Sequence, residues 1–330
     1  MSKRGFGIAG SAMALSFLTA FTTANAASAA WPERTVTLVT LVTPFAAGGI
    51  TDTLARLTAD RLNKKFGQPF IVEPTPGAAG ALAAQRVLKA PPDGHTLDFA
   101  TLSQIAILPY TNQISFDPQK DFRPISIIAT SPFVLTSGKQ VPGTDLASFV
   151  AEVKANPGKY PFGSAGTGNL THLSAALFLK FAGLQMNHVP YRGIAPAFQD
   201  VVAGHVGMVS ASPVEVKPFI GNPAVTFLAV TSAKRSAALP DVPAAGETLK
   251  MPPVVTWNGL LAPAGAPQAV IDALSAEIMA AQRDPVFVGQ LEKLGVDPIL
   301  HTPAEFAAMN AADAERWKTI ITELGIQPAQ

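Results

Sequence analysis

The chain has 330 residues, with 24 Lys and Arg side chains against 23 Asp and Glu, and these charges are scattered singly along it. This near-neutral pattern lacks the basic stripe of nucleic-acid-binding proteins, so no nucleic acid is expected as a partner. The chain contains no cysteine, which excludes disulfides, thiolate metal sites and an acyl anchor on a lipoprotein cysteine.

The first thirty residues have the pattern of a secretory signal peptide. Lys3 and Arg4 precede an apolar run from about Phe6 to Phe21, and A-x-A tripeptides follow between residues 24 and 29. This pattern predicts export to the periplasm with cleavage, so residues 1–30 are not part of the fold. An uncleaved anchor is the alternative, because the apolar run is barely long enough to span a bilayer.

The remaining chain of about 300 residues is longer than one compact core usually fills, so two lobes are expected. In its first part, β-branched runs alternate with segments of helical apolar spacing. The predicted elements there are a strand at 36–43, a helix from Thr51 or Asp52 to Phe66, a strand at 70–73, a helix at 79–89 and a strand at 96–101. This order predicts a parallel sheet with right-handed crossovers.

Closely spaced strands at 125–129 and 133–136 predict that the chain crosses there into a second α/β lobe. Its expected elements are helices at 145–155, 170–181 and 195–203 and strands at 160–163, 186–189, 206–210 and 226–231. A strand at 257–261 returns to the first lobe, where C-terminal helices cover the sheet, one of them with an apolar stripe that Asp313 interrupts. The predicted boundaries are 31–129 plus 254–330 for the first lobe and 130–253 for the second, with hinges near 129–131 and 253–256.

A loop with few side chains joins the first strand to its helix. Backbone N–H groups are expected to be bare there, at the positive end of the helix dipole, where a carboxylate is stabilised without a counter-ion. Asp52 is interpreted as a cap and dipole partner, and a plain tight turn is the alternative reading of the loop. The candidate ligand contacts are Phe45, Ala46, Ala47, Gly48, Gly49, Thr51 and Asp52.

A second loop of the same character follows a short strand and precedes an amphipathic helix, with Asn169 as its expected N-cap. Gly166 and Gly168 form a G-x-G, but Thr171 stands where the dinucleotide motif has Gly, and no Walker-type G-K-[ST] occurs. Nucleotide binding is therefore not expected, and no cofactor is predicted. The candidate contacts of this loop are Ser164, Ala165, Gly166, Thr167, Gly168 and Asn169.

The sequence contains no pattern of a catalytic or metal centre. The 5 histidines are dispersed, none in an H-E-x-x-H spacing, and no G-x-S-x-G elbow is present. His172, on the first turn after the second loop, is interpreted as an orienting or half-buried side chain, with a catalytic role as the alternative. Arg192 follows a strand end, from which it can reach a ligand carboxylate or form a surface salt bridge.

Short segments that run in order over nearly the whole mature chain carry a family resemblance. They are 31–34, 44–52, 76–80, 92–97, 164–168, 188–193 and 231–236. Through them the chain resembles the extracytoplasmic solute receptors of tripartite tricarboxylate transporters, the Bug or TctC family. The resemblance implies a type II periplasmic-binding-protein fold, in which two α/β lobes are joined by two crossover strands with the ligand cleft between them.

The resemblance also implies how the ligand is held. The family grips one acidic group between the two loops, largely through backbone amides and bridging waters, while the rest of the cleft selects the ligand. Thr101, at the end of the third strand, and Ser210, after the strand from Val206, carry over as further cleft residues.

Three departures from the family pattern bear on this expectation. A duplicated Thr-Leu-Val triplet at 37–42 leaves the register of the first strand open. Pro74 and Thr75 stand where Asn-Arg is usual. Gly207 stands where the family often has Asp, and losing that acid favours a plain or aromatic carboxylate over an amino acid as ligand.

We therefore expect a periplasmic, monomeric receptor, and not an enzyme, that captures a small di- or tricarboxylate, aromatic acids included. Closure on a ligand that bridges both loops would present it to the membrane components of a tripartite transporter. Two alternatives stay open: a receptor that presents its ligand to a sensor or signalling partner, and a hydrolase or lyase on the same scaffold.

Overall fold

The structure is a computed structural model that describes Trp31, residues 39–236 and residues 238–326. The predicted signal peptide, its cleavage sites and most of the first Thr-Leu-Val triplet lie outside the described residues. From Trp31 onward the chain belongs to one structural unit. No helix in the described ranges combines the length and the apolar character needed to cross a bilayer.

Strands and helices alternate along most of the described chain. The strands are β1 (Val39–Thr43), β2 (Phe70–Pro74), β3 (Thr96–Thr101), β4 (Phe122–Pro132), β5 (Val134–Gly138), β6 (Pro161–Ser164), β7 (Asn187–Pro190), β8 (Met208–Ala211), β9 (Val225–Val230), β10 (Val255–Pro263) and β11 (Asp297–Pro298). The helices are α1 (Ile50–Phe66), α2 (Ala81–Lys89), α3 (Leu108–Thr111), α4 (Pro118–Asp121), α5 (Leu146–Ala155), α6 (Leu170–Ala182), α7 (Ile194–Ala203), α8 (Pro213–Val216), α9 (Ala245–Leu249), α10 (Gln268–Ala281), α11 (Pro285–Lys293) and α12 (Pro303–Glu323).

The first sheet has the strand order β11-β4-β10-β3-β1-β2 and defines the first lobe. Strand β1 runs parallel to β2 and β3, which confirms the predicted parallel β-α-β core. Leu41 pairs with Val72 on one side and Leu97 on the other, and its side chain is fully buried. The departure at Pro74 leaves the ladder intact, because Pro74 is the last residue of β2 and pairs with Thr43.

The second sheet has the order β7-β6-β8-β5-β9 and defines the second lobe. Strand β6 runs parallel to β7 and β8, while β5 runs antiparallel to β8 and β9. Two α/β sheets, one in each lobe, confirm the predicted fold class. The carboxyl end of β6 opens into the second loop, just as the carboxyl end of β1 opens into the first.

The chain changes sheet between β4 and β5 and again before β10. Thr231 ties these two crossings together, because its Oγ1 accepts the N–H of Phe133 at 2.8 Å and donates to the carbonyl of Val254 at 2.6 Å. Beyond the crossings, β4 and β10 form an antiparallel pair from Pro132 and Val255 onward. The lobe boundaries and the hinge positions inferred from the sequence stay predictions.

The polar interruption in the apolar stripe of α12 has a specific partner in the sheet. The Oδ2 of Asp313 accepts the indole N–H of Trp257 at 3.1 Å. Phe306, one of the stripe residues, meets the Trp257 ring edge-on, with centroids 4.9 Å apart. Asp313 therefore satisfies a buried donor in β10, which a fully apolar stripe would leave unpaired.

Candidate functional site

The second loop, Ser164–Asn169, packs directly against the first lobe. The N–H of Leu170, the first residue of α6, donates to the Oγ of Ser103 at 3.2 Å, and Ser103 follows β3 of the first sheet. A Cβ placed on Gly168 would lie 2.5 Å from the Cβ of Thr111. Only a residue without a side chain fits at Gly168, since its φ of +75° is also in the left-handed region.

The first loop, Phe45–Asp52, meets the second lobe at Glu215. A Cβ on Gly49 would lie 3.6 Å from the Oε1 of Glu215, and the backbone N–H of Ile50 acts to lower the pKa of the Glu215 carboxyl group. Glu215 belongs to α8, which directly follows β8 of the second sheet. Each loop is thus in contact with the lobe opposite its own.

A chain of contacts links the two loops along the lobe interface. Pro44 and Gln104 both pack at Gly80, where an added Cβ would lie 3.1 Å from each of them. Gln104 is the neighbour of Ser103, which binds the start of α6. This chain of contacts leads from Pro44, at the start of the first loop, to the helix start that follows the second loop. A ligand shared by the two loops stays a prediction.

Asp52 holds the first loop in shape. Its Oδ2 accepts the N–H of Gly48 at 3.0 Å, and both carboxylate oxygens receive the guanidinium of Arg56 at 3.0 Å. The N-cap of α1 is Gly49, without a side-chain cap, so Asp52 is an acidic residue of the first turn and not the cap. Because Asp52 accepts it, the N–H of Gly48 is not free for a ligand. In the described first loop, the exposed residues Ala46 and Ala47 keep N–H groups without a hydrogen-bond partner. Phe45 is half-buried and Thr51 is buried.

The prediction of bare N–H groups is wrong for most of the second loop. The N–H of Ala165 donates to Thr171 Oγ1 at 2.9 Å, that of Gly166 to Ser164 Oγ at 3.1 Å, and that of Asn169 to the carbonyl of Gly166 at 3.2 Å. Side chains of the loop itself take these donors, as Ser, Thr and Asn commonly do beside helix starts. The predicted N-cap is confirmed, because Asn169 Oδ1 accepts the N–H of Thr171 at 2.9 Å. Within this loop as described, the exposed residue Thr167 retains an unpartnered N–H.

Two stacked imidazoles support the second loop from below. The rings of His172 and His188 lie 3.8 Å apart between centroids, and Phe162 stacks against His172. His172 Nδ1 accepts the N–H of Gly168 at 3.2 Å, so the interpretation of His172 as an orienting side chain is confirmed. Burial lowers the pKa of His172 to about 3 and that of His188 to about 4, so both rings are neutral near pH 7.

The remaining predicted residues have separate surroundings. Thr101 is buried and its Oγ1 accepts the N–H of Gln104 at 3.4 Å, whereas Ser210 is buried against Ser174, with 2.6 Å between the two hydroxyls. Arg192 is exposed and forms no ion pair within the described ranges. Their contact with a ligand stays a prediction.

Gly207, where the family often has an acid, lies at the end of its strand opposite to the loops. Phe162 in β6 pairs with Met208 in the parallel strand β8, so Gly207 lies at the amino end of β8, and both ligand loops lie at carboxyl ends. A Cβ at Gly207 would also come within 2.8 Å of Val141 Cγ2. The inference that the missing acid favours a plain or aromatic carboxylate stays a prediction.

Glu215 and Ser103 are functional candidates that the sequence prediction missed. Ser212 and Glu215 do form a recognisable S-x-x-E capping box, with the N–H of Ser212 donating to Glu215 Oε2 at 2.9 Å. The motif predicts a helix start, but it contains no information about the lobe that approaches it. Ser103 has no local signal of this kind.

Two open cavities lie away from the contact between Gly49 and Glu215. One, of about 530 Å³, is lined by Lys89, Phe116 and Asp121 on the first lobe. The other, of about 480 Å³, is lined by His172, His188 and the end of α12 near Leu324. In the part of the chain that the structure describes, no group of three or more His, Asp or Glu side chains is placed to hold a metal ion.

The chain is similar over most of its length to a known family of transport receptors. The family model described as "Tripartite tricarboxylate transporter family receptor" (TctC) matches residues 54–326. A protein of Cupriavidus necator, "UPF0065 protein in gbd 5'region", is 34% identical over 339 residues and covers 100% of both chains. The solved structure of R. palustris Rpa4515 with adipate has a TM-score of 0.86 and 32% identity, covering 91% of this chain and 100% of that one. MatC from Rhodopseudomonas palustris with bound malate has a TM-score of 0.79 and 32% identity, covering 87% of this chain and 100% of that one.

Proposed function

The chain belongs to the family of tripartite tricarboxylate transporter receptors, and we propose that it is a periplasmic receptor that captures a small carboxylate for transport. The relatives solved with adipate and with malate support a dicarboxylate as ligand. The signal-peptide pattern of residues 1–30 supports export with cleavage. Delivery to the membrane components of a tripartite transporter by a monomeric receptor completes the proposal.

One observation carries the carboxylate assignment: the start of α1 already receives a carboxylate from the opposite lobe. Glu215 Oε1 lies 3.6 Å from the position of a Cβ on Gly49, and the backbone N–H of Ile50 favours the charged form of Glu215 by lowering its pKa. The first turn of a helix of 17 residues supplies unpaired N–H groups and a positive dipole end. A ligand carboxylate has the same charge and acceptor geometry as the Glu215 carboxylate. The free N–H groups of Ala46 and Ala47 add further donors to this proposed binding site.

The second loop contributes a rigid surface to the proposed cleft. Its internal hydrogen bonds fix the backbone before a ligand arrives, which lowers the ordering cost of binding. Thr167 offers its N–H and its exposed side chain to the ligand, while Ser103 and Leu170 join the lobes beside it. A ligand that touches both loops binds the closed form better and shifts the population toward it.

The geometry around Ser164 argues for binding rather than catalysis. Ser164 Oγ lies 2.6 Å from His188 Nε2, as a nucleophile lies beside its base. Ser164 is nevertheless 0% exposed, and burial lowers the pKa of His188 to about 4, far below that of an effective general base at neutral pH. The pair instead anchors the second loop, because Ser164 Oγ also accepts the N–H of Gly166.

A thermal-shift screen of the mature protein tests the proposal. The panel contains benzoate, malate, adipate and citrate, with the uncharged diamide of adipate as control. A ligand present at one hundred times its dissociation constant adds about 2.7 kcal/mol to the free energy of unfolding. At least one carboxylate is expected to raise the melting temperature while the diamide does not. No shift with any carboxylate, at concentrations up to the millimolar range, would contradict the proposal.

A further inference from the structure

Glu215 is fixed in place by its own helix start. The N–H of Ser212 donates to Oε2 at 2.9 Å, and the hydroxyl of Ser212 donates to the same oxygen. This capping box holds one carboxylate oxygen within α8 and directs the other toward the first loop. The Oε1 atom of Glu215 consequently faces Gly49, and a Cβ added to Gly49 would lie 3.6 Å from it.

Two opposing effects act on the Glu215 carboxylate: burial disfavours its negative charge, and nearby N–H groups favour it. Burial between the lobes raises the pKa of Glu215, while the N–H groups of Ser212 and Ile50 favour its charged form. The dipole of α1 adds to the attraction, because Ile50 is the first residue of that helix. Glu215, from the second lobe, thus occupies the position at the N-terminus of α1 where an anion would bind.

Two carboxylates cannot share these donors without repulsion. Like charges about 4 Å apart repel by a few kcal/mol at the effective dielectric of a partly buried site. We propose that Glu215 is a specificity-determining residue: it occupies the start of α1 in the ligand-free protein, and the carboxylate of an incoming ligand has to displace it. This inference rests on the proposed function, and it assigns to Glu215 a negative contribution to ligand affinity.

The decisive variant is Glu215→Gln. Glutamine keeps the S-x-x-Q capping box with Ser212, so α8 stays capped, but it removes the charge that competes with the ligand. Glu305→Gln is the matched control, because Glu305 caps α12 in the same way through Thr302 and is exposed far along the chain. Calorimetric titration with adipate and with malate compares the dissociation constants of wild type and both variants.

Glu215→Gln is expected to bind these acids roughly tenfold more tightly than wild type, and Glu305→Gln with unchanged affinity. Equal or weaker binding by Glu215→Gln, beside a wild type that binds, would overturn the inference while leaving the receptor function intact. A wild type that binds no carboxylate refutes the receptor function instead.

A measurement without ligand tests the bridging role of Glu215 separately from the receptor function. Because Glu215 bridges the lobes, Glu215→Ala is expected to increase the radius of gyration of the ligand-free protein in small-angle X-ray scattering. Glu305→Ala is expected to leave that radius at the wild-type value. An unchanged radius for Glu215→Ala, with circular dichroism showing a folded chain, would refute the bridge and with it the inference.

Discussion

The Oγ of Ser103 accepts the N–H of Leu170 at 3.2 Å, and this bond joins residues 67 positions apart in the chain. Leu170 begins α6, so its N–H is one of the donors that a helix cannot satisfy internally. Ser103 in the first lobe satisfies it only while the lobes are together. The bond therefore joins the two lobes and couples the second loop to the end of β3.

Removing this bond is expected to weaken ligand binding more than folding. Ser103→Ala leaves the Leu170 N–H without its partner when the lobes close, at a cost of about 1 kcal/mol, or roughly a fivefold weaker affinity. Ser126→Ala is the control, since Ser126 is also buried but its hydroxyl donates only to the neighbouring carbonyl of Ile127. Titration with the ligand identified by the screen gives both values. Equal affinities for Ser103→Ala and wild type would contradict this role.

Gly168 is predicted to be intolerant of a side chain because of the opposite lobe. A methyl group there would meet Thr111 at 2.5 Å, so Gly168→Ala should prevent full closure and lower affinity at least tenfold. Gly183→Ala carries a similar backbone penalty of roughly 1 kcal/mol, with φ +65° and open space around it. Both variants should lose thermal stability, but only Gly168→Ala should lose ligand. Normal binding by Gly168→Ala would show that the contact with Thr111 is not needed.

Substitutions at Gly49 test the effect of side-chain size on ligand binding without adding backbone strain. Its φ of −83° is open to any residue, and an added Cβ makes only ordinary contact with Glu215. Gly49→Ala should therefore fold and bind, whereas Gly49→Leu should fold but block the approach of a carboxylate to the first loop. Titration and melting curves of the two variants check this. Undiminished binding by Gly49→Leu would place the ligand elsewhere.

Because of the stacked histidines, the free energy of unfolding is expected to decrease in mild acid. The pKa of His172 is lowered to about 3 and that of His188 to about 4, against about 6.5 for both in the unfolded chain. Between pH 6.5 and 4 the unfolded chain binds more protons than the folded one, so the free energy of unfolding decreases as the pH falls. His188→Gln should reduce this slope in denaturant titrations at pH 4.5, 5.5 and 7. An identical slope in wild type and variant would refute the assignment.

The buried carboxyl group of Asp98 is expected to make the free energy of unfolding depend on pH in the opposite direction. Its side chain is fully buried in β3 with Gln104 Nε2 at 3.0 Å from Oδ2, and burial raises its pKa to about 8. The folded protein then binds the extra proton, so this stabilisation is complete below pH 4 and is lost as the pH rises to about 8. Asp98→Asn should flatten unfolding free energies measured between pH 5 and 9. A wild-type decline that persists unchanged in Asp98→Asn would exclude Asp98 as its cause.

The sequence predicted elements whose signals are local. The β3 bounds of 96–101 agree with the structure, and the capping role of Asn169 follows from its place before an apolar helix. The short helices α3, α4, α8 and α9 were missed, since segments of four or five residues show little periodicity. The strand expected at 206–210 begins two residues later, at Met208.

The candidate site was harder to predict because its contacts are not local. Ser103 and Glu215 acquire their roles only when the opposite lobe approaches, and no spacing in the sequence encodes that approach. The second loop shows a different failure: Ser164, Thr171 and His172 were visible beside the glycines, and they take the N–H groups that the glycines were expected to leave bare. Counting nearby acceptors would have corrected that prediction.

The most direct test of the account is a crystal structure of the mature protein with the carboxylate that gives the largest thermal shift. One ligand carboxylate is expected within hydrogen-bonding distance of the N–H groups of Ala46, Ala47 or Ile50, with the second loop across from it and the Glu215 carboxylate moved away from Gly49. A ligand bound outside the two loops, with Glu215 still against Gly49, would contradict it.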